Sequence, residues 1–220
     1  MPTKKSTRHV PQRKRKIERA PITKQVWKPG TMLFPVPVVM VSCVGADVRP
    51  NIVTVAWTGT ICSEPPMLSI SLRKPRYSYD LIMESREFVV NIPSARLIRA
   101  TDYCGAVSGR DVDKFAAAKL TPGPSVSVKP PIIMECPVNI ECAVRQVLEL
   151  GVHTMFVAEI TAVQVSEHLL TPSGRLALEK EGLVAFSHGG YYALGKKLGH
   201  FGYSVRGVKR EVRSEKYEVH

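Results

Sequence analysis

The sequence predicts an α+β fold that is mainly β and is built on an antiparallel sheet. Segments in which apolar and polar residues alternate as in strands occur both early and late in the 220-residue chain. The helical segments are short and lie between them, joined by short links, which argues against a parallel, doubly wound sheet. A small barrel closed around one core would remove the exposed edges of such a sheet.

The strand predicted at residues 52–58 has two different faces, because side chains alternate along a strand. One face carries bulky side chains suited to the core, namely Val53, Val55 and Trp57. The other face is mostly small and partly hydroxylated, and consists of Ile52, Thr54, Ala56 and Thr58. The second face is therefore the one that leaves room for a ligand.

A second strand and a helix follow this first strand directly. Gly59 and the turn-forming residues 63–66 separate the two strands. The apolar face of the second strand consists of Leu68, Ile70 and Leu72, and its polar face of Ser69, Ser71 and Arg73. Pro75 ends that strand, and residues 77–84 are predicted to form a helix with Ser78 near its start and with Leu81 and Ile82 facing inward.

The two polar faces and the start of this helix suit one kind of ligand. An anion near Ser71, Arg73 and Ser78 would meet hydroxyl groups, a guanidinium and helix N–H groups. A flat, uncharged ring would fit against the small face of the first strand, and flavin mononucleotide (FMN) combines such a ring with a phosphate. Alternating Ser and Thr also mark the solvated side of an ordinary antiparallel sheet, so this alternative stays open for each residue taken alone.

The other segments complete the predicted order of elements. Strands are expected at residues 33–44, 87–92, 138–144 and 155–165, and helices at 95–107 and 111–118. Residues 119–135 contain four prolines and are expected to form a long surface connection. The glycine-rich, aromatic segment at residues 191–204 is expected to pack rings without a regular period.

Positive charge is concentrated at the beginning of the chain. Residues 1–24 contain nine Lys or Arg and one acidic residue, Glu18, and so carry +8 of the net charge of +12. We expect a disordered basic tail at residues 1–24, a folded domain at residues 25–205 and a charged tail at residues 206–220. The first tail predicts either weak, salt-dependent contact with nucleic acid or a solubilising extension without a specific partner.

Nucleic-acid binding is therefore the second function to weigh. It is disfavoured because Trp57 falls on the bulky face of its strand, so the sheet offers no aromatic stacking platform.

Cysteine usage and hydropathy predict a protein of the reducing cytoplasm. The five cysteines are odd in number and lack CxxC spacing, which argues against a disulfide framework and a zinc site. No run of about 18 apolar residues is present, so no membrane span is expected. The first residues carry charges without the apolar segment of a secretory signal.

Motifs of other enzyme classes are missing or incomplete. No GxGxxG follows a strand, so a Rossmann module is not expected. Residues 190–197 fit GxxxxGK only superficially, because Lys197 stands where a phosphate loop needs Ser or Thr. His188 and His200 are interpreted as packing residues, and Cys104 as a core residue in preference to a redox thiol. We predict no catalytic side chain and no metal site.

Several motifs, in order along the chain, resemble those of one protein family. They are NIVTVAWTG at 51–59, SISLRKPRYSYDLI at 69–82, FVVNIP at 88–93, ATDYCGAVSGRDVDKF at 100–115 and YYALGKKLGHFGYSV at 191–205. The run from about Phe34 to Val205 is similar to the flavin reductase-like proteins, most closely the flavoredoxin group. The resemblance implies an antiparallel, Greek-key-like split β-barrel with short peripheral helices, a homodimer, noncovalently bound FMN, and electrons from NAD(P)H or a redox-protein donor.

The resemblance also implies which residues contact the cofactor. The residues expected along the isoalloxazine ring are Thr54, Ala56, Trp57 and Thr58. Those expected at the phosphate are Ser71, Arg73 and Ser78. Those expected at a helix end near the flavin are Tyr103, Cys104, Gly105 and Ser108. The implied function is an FMN-dependent oxidoreductase, either a flavin reductase that supplies reduced flavin or an electron carrier like flavoredoxin.

Overall fold

The computed structural model describes residues 21–205. The predicted C-terminal tail and most of the predicted N-terminal tail lie outside the described residues. The chain divides between Met32 and Leu33 into two units. In the first unit, the described residues 21–32 form neither helix nor strand.

Residues 33–205 contain strands, three α-helices and single turns of 3-10 helix. The strands are β1 (Val36–Pro37), β2 (Val39–Cys43), β3 (Asn51–Val55), β4 (Thr58–Ser63), β5 (Pro66–Arg73), β6 (Glu87–Ile92), β7 (Pro122–Gly123), β8 (Ile132–Ile133), β9 (Val138–Glu149), β10 (His153–Val165), β11 (Val184–Ser187) and β12 (Gly190–Ala193). The helices are α1 (Tyr77–Ser85), α2 (Ile98–Ala106) and α3 (Lys114–Ala118). Within the described residues, each helix is too short or too polar to cross a membrane.

A seven-stranded antiparallel sheet forms the main layer, in the order β3-β2-β6-β9-β10-β5-β4. Only Ala56 and Trp57 separate β3 from β4 along the chain, yet these strands are the two edges of the sheet. The sheet must therefore curl until its edges approach each other. At this junction the backbone N–H of Ser71 donates to the carbonyl oxygen of Trp57 at 2.8 Å. The curled sheet confirms the predicted fold, which is mainly β and antiparallel.

A smaller sheet has the order β1-β11-β12. Its hairpin joins β11 to β12 through His188 and Gly189, whose φ angles are +47° and +80°. Positive φ at both central residues is typical of a type I′ turn, which matches the twist of the flanking strands. Because Val36 of β1 pairs with Phe186 of β11, the hairpin is attached to the chain just before β2.

The sheet buries side chains on both faces of β2 and β3. One cluster includes Val53 and Val55 together with the apolar side of β5 and α1, which confirms the predicted inward positions Leu68, Ile70, Leu72, Leu81 and Ile82. A second cluster lies beneath α2 and α3 and consists of Met40, Ile52, Cys104, Phe115, Leu120, Ile133 and Cys136. The face of β3 that carries Ile52 is therefore partly occupied by the protein's own helices.

The connection at residues 119–135 is more ordered than its prolines predicted. It contains β7 and β8, and both Ile132 and Ile133 are buried. The buried carboxylate of Glu141 accepts hydrogen bonds from the backbone N–H groups of Val126 and Ser127. The prolines interrupt regular structure, but isoleucine packing and one buried acceptor hold the segment against the sheet.

Candidate functional site

A pocket of about 460 Å³ lies where β3 ends, bordered by the end of β5, by α2 and by the smaller sheet. This volume is within the usual range for small-molecule and cofactor sites. Six of the residues predicted to contact a flavin line it, namely Thr54, Ala56, Trp57, Ser71, Arg73 and Gly105. The geometry thus brings together residues from three separate elements.

Trp57 borders this pocket because β3 stops at Val55. Its side chain is 39% exposed, and its ring is stacked near that of His153, with centroids 6.4 Å apart and planes at 17°. The prediction that Trp57 shares the buried face of Val53 and Val55 is wrong, since the alternation of a continuous strand does not continue through the bend at residues 56–57. The argument against nucleic-acid binding relied on Trp57 being buried, so that argument no longer holds.

Thr54 and Gly105 set the distance between β3 and α2. The Thr54 hydroxyl donates a hydrogen bond to the carbonyl oxygen of Thr101 on α2. A Cβ atom at Gly105 would lie only 3.1 Å from Cβ of Thr54, so glycine allows the helix to approach the strand this closely. The C-terminal turn of α2 thereby forms one side of the pocket.

Arginines form the edge of the pocket beyond Ser71. The guanidinium of Arg76 donates to the carbonyl oxygen of Gly105 at 3.1 Å. Arg73 is exposed, and within residues 21–205 its guanidinium has neither a hydrogen bond nor an ion pair. This edge therefore presents cationic donors that are available to an anion.

A smaller pocket of about 80 Å³ adjoins the first and shares Val53 and Arg76 with it. The predicted residues Ser78 and Ser108 line it. The side-chain amide of Asn51 donates to the Ser78 hydroxyl at 2.8 Å, while its Oδ1 atom is buried without a hydrogen-bond partner. A buried acceptor in this state carries an unmet hydrogen-bonding capacity, which a bound donor would satisfy.

Lys114 also lines the smaller pocket, and no sequence pattern had singled it out. The residue is 3% exposed, and its ammonium group donates to the carbonyl oxygens of Ile52 at 2.6 Å and of Cys104 at 2.8 Å. In the described part of the chain, no acidic side chain pairs with it, and burial lowers the pKa of Lys114. Asp113 caps α3 by accepting from Ala116 N–H, so a cap in the sequence indicates where the helix starts but not that its first residue is buried.

Three predicted flavin contacts lie outside the lining of both pockets. The Thr58 hydroxyl donates to the carbonyl oxygen of Ser69 at 2.8 Å, which serves the β4–β5 pairing. Cys104 is fully buried in the second cluster, and burial raises the pKa of its thiol to about 11. Tyr103 is half-buried on α2. The roles that the resemblance implies for these residues stay predictions.

The sequence also did not indicate the contacts that the smaller sheet makes at the main pocket. Tyr191 donates a hydrogen bond to Oδ1 of Asp102 at 3.0 Å, and its ring lies edge-on to that of Phe186 with the centroids 5.5 Å apart. Burial and the neighbouring Asp102 carboxylate raise the pKa of Tyr191 to about 12. The segment at residues 191–204 was expected only to pack rings, because its local pattern does not reveal a partner on α2.

Chemically, the two neighbouring pockets suit a planar molecule with an anionic end. The larger pocket offers aromatic and small side chains, and the smaller one offers hydroxyls and a buried ammonium group. Within residues 21–205, no three His, Cys, Asp or Glu side chains lie together as they would at a metal site.

The family model described as "Flavin reductase like domain" matches residues 31–195. Flavoredoxin of Desulfovibrio vulgaris (Miyazaki F) is 36% identical, with a TM-score of 0.78 over 84% of this chain and 100% of that one. Flavoredoxin from Methanosarcina acetivorans is 28% identical, with a TM-score of 0.75 over 84% of this chain and 98% of that one. These matches confirm the predicted split-barrel fold and the similarity to flavoredoxins.

An uncharacterized protein of Archaeoglobus fulgidus is 37% identical over 115 residues. That match covers 52% of this chain and 65% of the relative, so it spans slightly less than two thirds of the relative's length. The match of the family model, in contrast, extends over most of the sequence, from before β1 to just after β12. The chain belongs to the flavin reductase-like family.

Proposed function

We propose that this protein is an FMN-dependent oxidoreductase. The isoalloxazine ring would occupy the larger pocket, and the phosphate would lie at the smaller pocket and at the arginine edge of the larger one. The observation that carries this proposal is the buried ammonium group of Lys114, which lines a small polar pocket without an acidic partner among the described residues.

An anion at the smaller pocket would offset an electrostatic cost that the fold otherwise bears. Removing an ammonium group from water is unfavourable unless it is paired, and two backbone carbonyls compensate Lys114 only in part. Arg76, Ser78 and Ser108 line the same pocket and supply further donors. A phosphate combines the negative charge with several acceptor oxygens, and its protonated oxygen or a ribityl hydroxyl would serve as the donor that Asn51 Oδ1 lacks.

The larger pocket suits the ring. Trp57 and Phe186 offer apolar surface, and the small side chains of Thr54 and Ala56 leave space beside the strand end. When bound, the flavin would supply the electron-transfer chemistry, and the protein would position the ring and exclude water. His153 also lines the larger pocket, opposite Arg73 in the pairing of β10 with β5, and would contact a second ligand there.

The electron donor is part of the proposal. NAD(P)H or a redox protein would reduce the flavin, and the similarity to two flavoredoxins supports an electron carrier over a supplier of free reduced flavin. We also propose a homodimer in the cytoplasm, where the free thiols of all five cysteines would stay reduced. Oxidation of NADH or NADPH with added free flavin, compared with reduction of the bound flavin alone, distinguishes the two kinds of activity.

The direct test compares FMN with riboflavin, which lacks the phosphate. Purified protein titrated with FMN should develop the visible absorption of bound flavin and should prefer FMN to riboflavin. Arg73→Ala and Lys114→Gln should each weaken FMN binding about tenfold or more and leave riboflavin binding nearly unchanged. Arg145→Ala is the matched control, since Arg145 is exposed, pairs with Glu159 and lines neither pocket. Equal affinity for the two flavins, or no binding of either, would overturn the proposal.

Weak nucleic-acid contact by residues 1–24 is a separate proposal, supported by the +8 charge of that segment. Retention of the protein by RNA or DNA should fall steeply with salt and should disappear when residues 1–24 are deleted. Persistence of the binding after that deletion would assign it to another part of the chain.

A further inference from the structure

The β11–β12 hairpin forms one wall of the larger pocket, and it is attached to the rest of the domain along β11 and at its base. There the backbone N–H of Ala95 donates to the carbonyl oxygen of Gly182 at 2.9 Å, and Leu183 forms an isolated bridge with Ser94. One side of the hairpin pairs with β1, which is only two residues long. This pairing reaches Phe186 near the turn, and the rings of Phe34 and of the turn residue His188 lie with their centroids 4.5 Å apart.

One polar contact joins the pocket end of the hairpin to the helix on another side of the pocket. Tyr191, which pairs with Phe186 next to the turn, donates its hydroxyl to Oδ1 of Asp102 at 3.0 Å across 89 positions of sequence. Among the described residues, neither side chain makes another hydrogen bond or ion pair. Both residues line the pocket, so this bond joins two of its walls.

We propose that Tyr191 is a positioning residue whose hydrogen bond to Asp102 holds the β11–β12 hairpin against α2, so that bound flavin dissociates slowly. This inference rests on the proposed function and deepens it, because it makes the flavin a retained group and the hairpin the element that governs its release. A retained flavin suits an electron carrier, whereas a protein that supplies free reduced flavin must let it go.

The hairpin needs such a contact because its own stability is small. Two four-residue strands form a hairpin that is marginal in water without further packing. Pairing with β1 and the ring contacts of Phe34 with Phe186 and His188, at centroid distances of 6.4 Å and 4.5 Å, hold the β11 side of the hairpin, but none of them reaches α2. The hydrogen bond to a carboxylate is of the stronger kind and links the hairpin to α2. The high pKa of Tyr191, about 12, keeps its hydroxyl protonated as the donor at neutral pH.

The first experiment compares Tyr191→Phe with Tyr192→Phe in the full-length protein loaded with FMN. Tyr192 is the next residue along β12, is 58% exposed and lies outside the pocket lining, so it is the matched control. FMN dissociation is measured by the recovery of flavin fluorescence after dilution. Tyr191→Phe should dissociate FMN about tenfold faster than the parent, and Tyr192→Phe at the parent rate. Hydrogen exchange of residues 184–193 should accelerate only in Tyr191→Phe.

The acceptor is tested with two variants of Asp102. Asp102→Asn keeps an oxygen that accepts from Tyr191, whereas Asp102→Ala removes it. Asp102→Ala should release FMN as fast as Tyr191→Phe, Asp102→Asn should fall between the parent and Asp102→Ala, and the two disruptive changes should not be additive in the double variant.

Two outcomes would overturn the positioning role. The first is that Tyr191→Phe keeps the FMN dissociation rate and the hydrogen exchange of the parent. The second is that Asp102→Asn releases FMN as fast as Asp102→Ala, which would mean that the carboxylate acts through its charge and not as the acceptor for Tyr191. If the parent binds no FMN, the proposed function fails by itself, and hydrogen exchange of the flavin-free hairpin still decides whether Tyr191 holds it closed.

Discussion

The ammonium group of Lys114 lies 2.6 Å from the carbonyl oxygen of Ile52, and this contact joins α3 to the strand that leads into the larger pocket. A second bond, to the carbonyl oxygen of Cys104, joins the same side chain to α2. Lys114 thus contacts both of the elements between which the flavin is proposed to bind. Lys114 has no acidic partner among the described residues, so a bound anion would change the pKa of its ammonium group.

Affinity for FMN should depend on pH through Lys114. Burial lowers the pKa of Lys114 from its ordinary value of 10.5, and a bound phosphate would favour the charged form and raise the pKa again. FMN affinity should therefore be greatest below the lowered pKa of the free protein and should fall as pH rises through that pKa towards the ordinary value. Isothermal titration across this alkaline range measures the effect.

Two controls separate this effect from titration of other groups. Riboflavin shares the ring of FMN but has no phosphate, so its affinity should lack the contribution of Lys114. Lys114→Gln should remove that contribution from FMN binding as well. An FMN profile that keeps its full alkaline decline in Lys114→Gln would show that another group is responsible.

A change next to the flavin ring should weaken FMN and riboflavin alike, in contrast to a change at the phosphate. Trp57→Ala removes the aromatic surface at the strand end and leaves the side chains of Lys114, Arg73 and Arg76 in the chain. FMN and riboflavin should then both bind more weakly, by a similar factor of about ten, because each loses the same contact with the ring. Parallel titrations of the two flavins check this. Loss of FMN binding alone would place Trp57 at the phosphate.

Gly109 should not tolerate a side chain. A Cβ atom there would lie 2.0 Å from Oδ1 of the buried Asn51, which would displace Asn51 from Ser78. Gly109→Ala should lower the free energy of unfolding by about 1–3 kcal/mol and weaken FMN binding. Gly59→Ala is the control, since nothing lies within 4 Å of a Cβ atom at Gly59. Denaturant unfolding of both variants measures the difference, and equal stabilities would contradict the close contact.

The sequence predicted those parts of the fold that depend on local periodicity. The alternation in β5 and the helical spacing of α1 placed the inward side chains correctly, because each element is continuous and has one buried face, as Ile70 and Ile82 show. Trp57 was misplaced because the strand ends at Val55, and the bend that ends it is set by Ser71 of another strand.

The polar contacts of the site were harder to predict because they join distant segments. Lys114 contacts Ile52 across 62 positions, and Tyr191 contacts Asp102 across 89. Neither pair is marked by spacing, since a lysine at a helix start and an aromatic in a glycine-rich segment have many ordinary uses. Arg73 and Ser71, which continue the alternation of β5, were predicted to face a ligand and do line the larger pocket.

Glu141 should make stability depend on pH at the acid end. Burial alone would raise the pKa of this carboxyl group, but hydrogen bonds from Val126 N–H, Gln164 and Ser127 outweigh burial and hold its pKa below the ordinary 4.5. A lowered pKa in the folded state means that the carboxylate contributes stability above pH 4.5, and that this contribution is lost as pH falls through the folded-state pKa.

The charge of Glu141 is tested by replacing it with an amide. Glu141→Gln replaces one acceptor oxygen by a donor that faces N–H groups, so it should cost about 2 kcal/mol at pH 7. The deficit should shrink in acid, where the parent carboxyl is also neutral. Glu159→Gln, at a surface ion pair with Arg145, should cost less than about 1 kcal/mol at either pH. Urea unfolding at pH 7 and in acid, below the ordinary pKa of 4.5, measures both variants. A deficit for Glu141→Gln that is independent of pH would show that the charge of Glu141 does not hold residues 126–127.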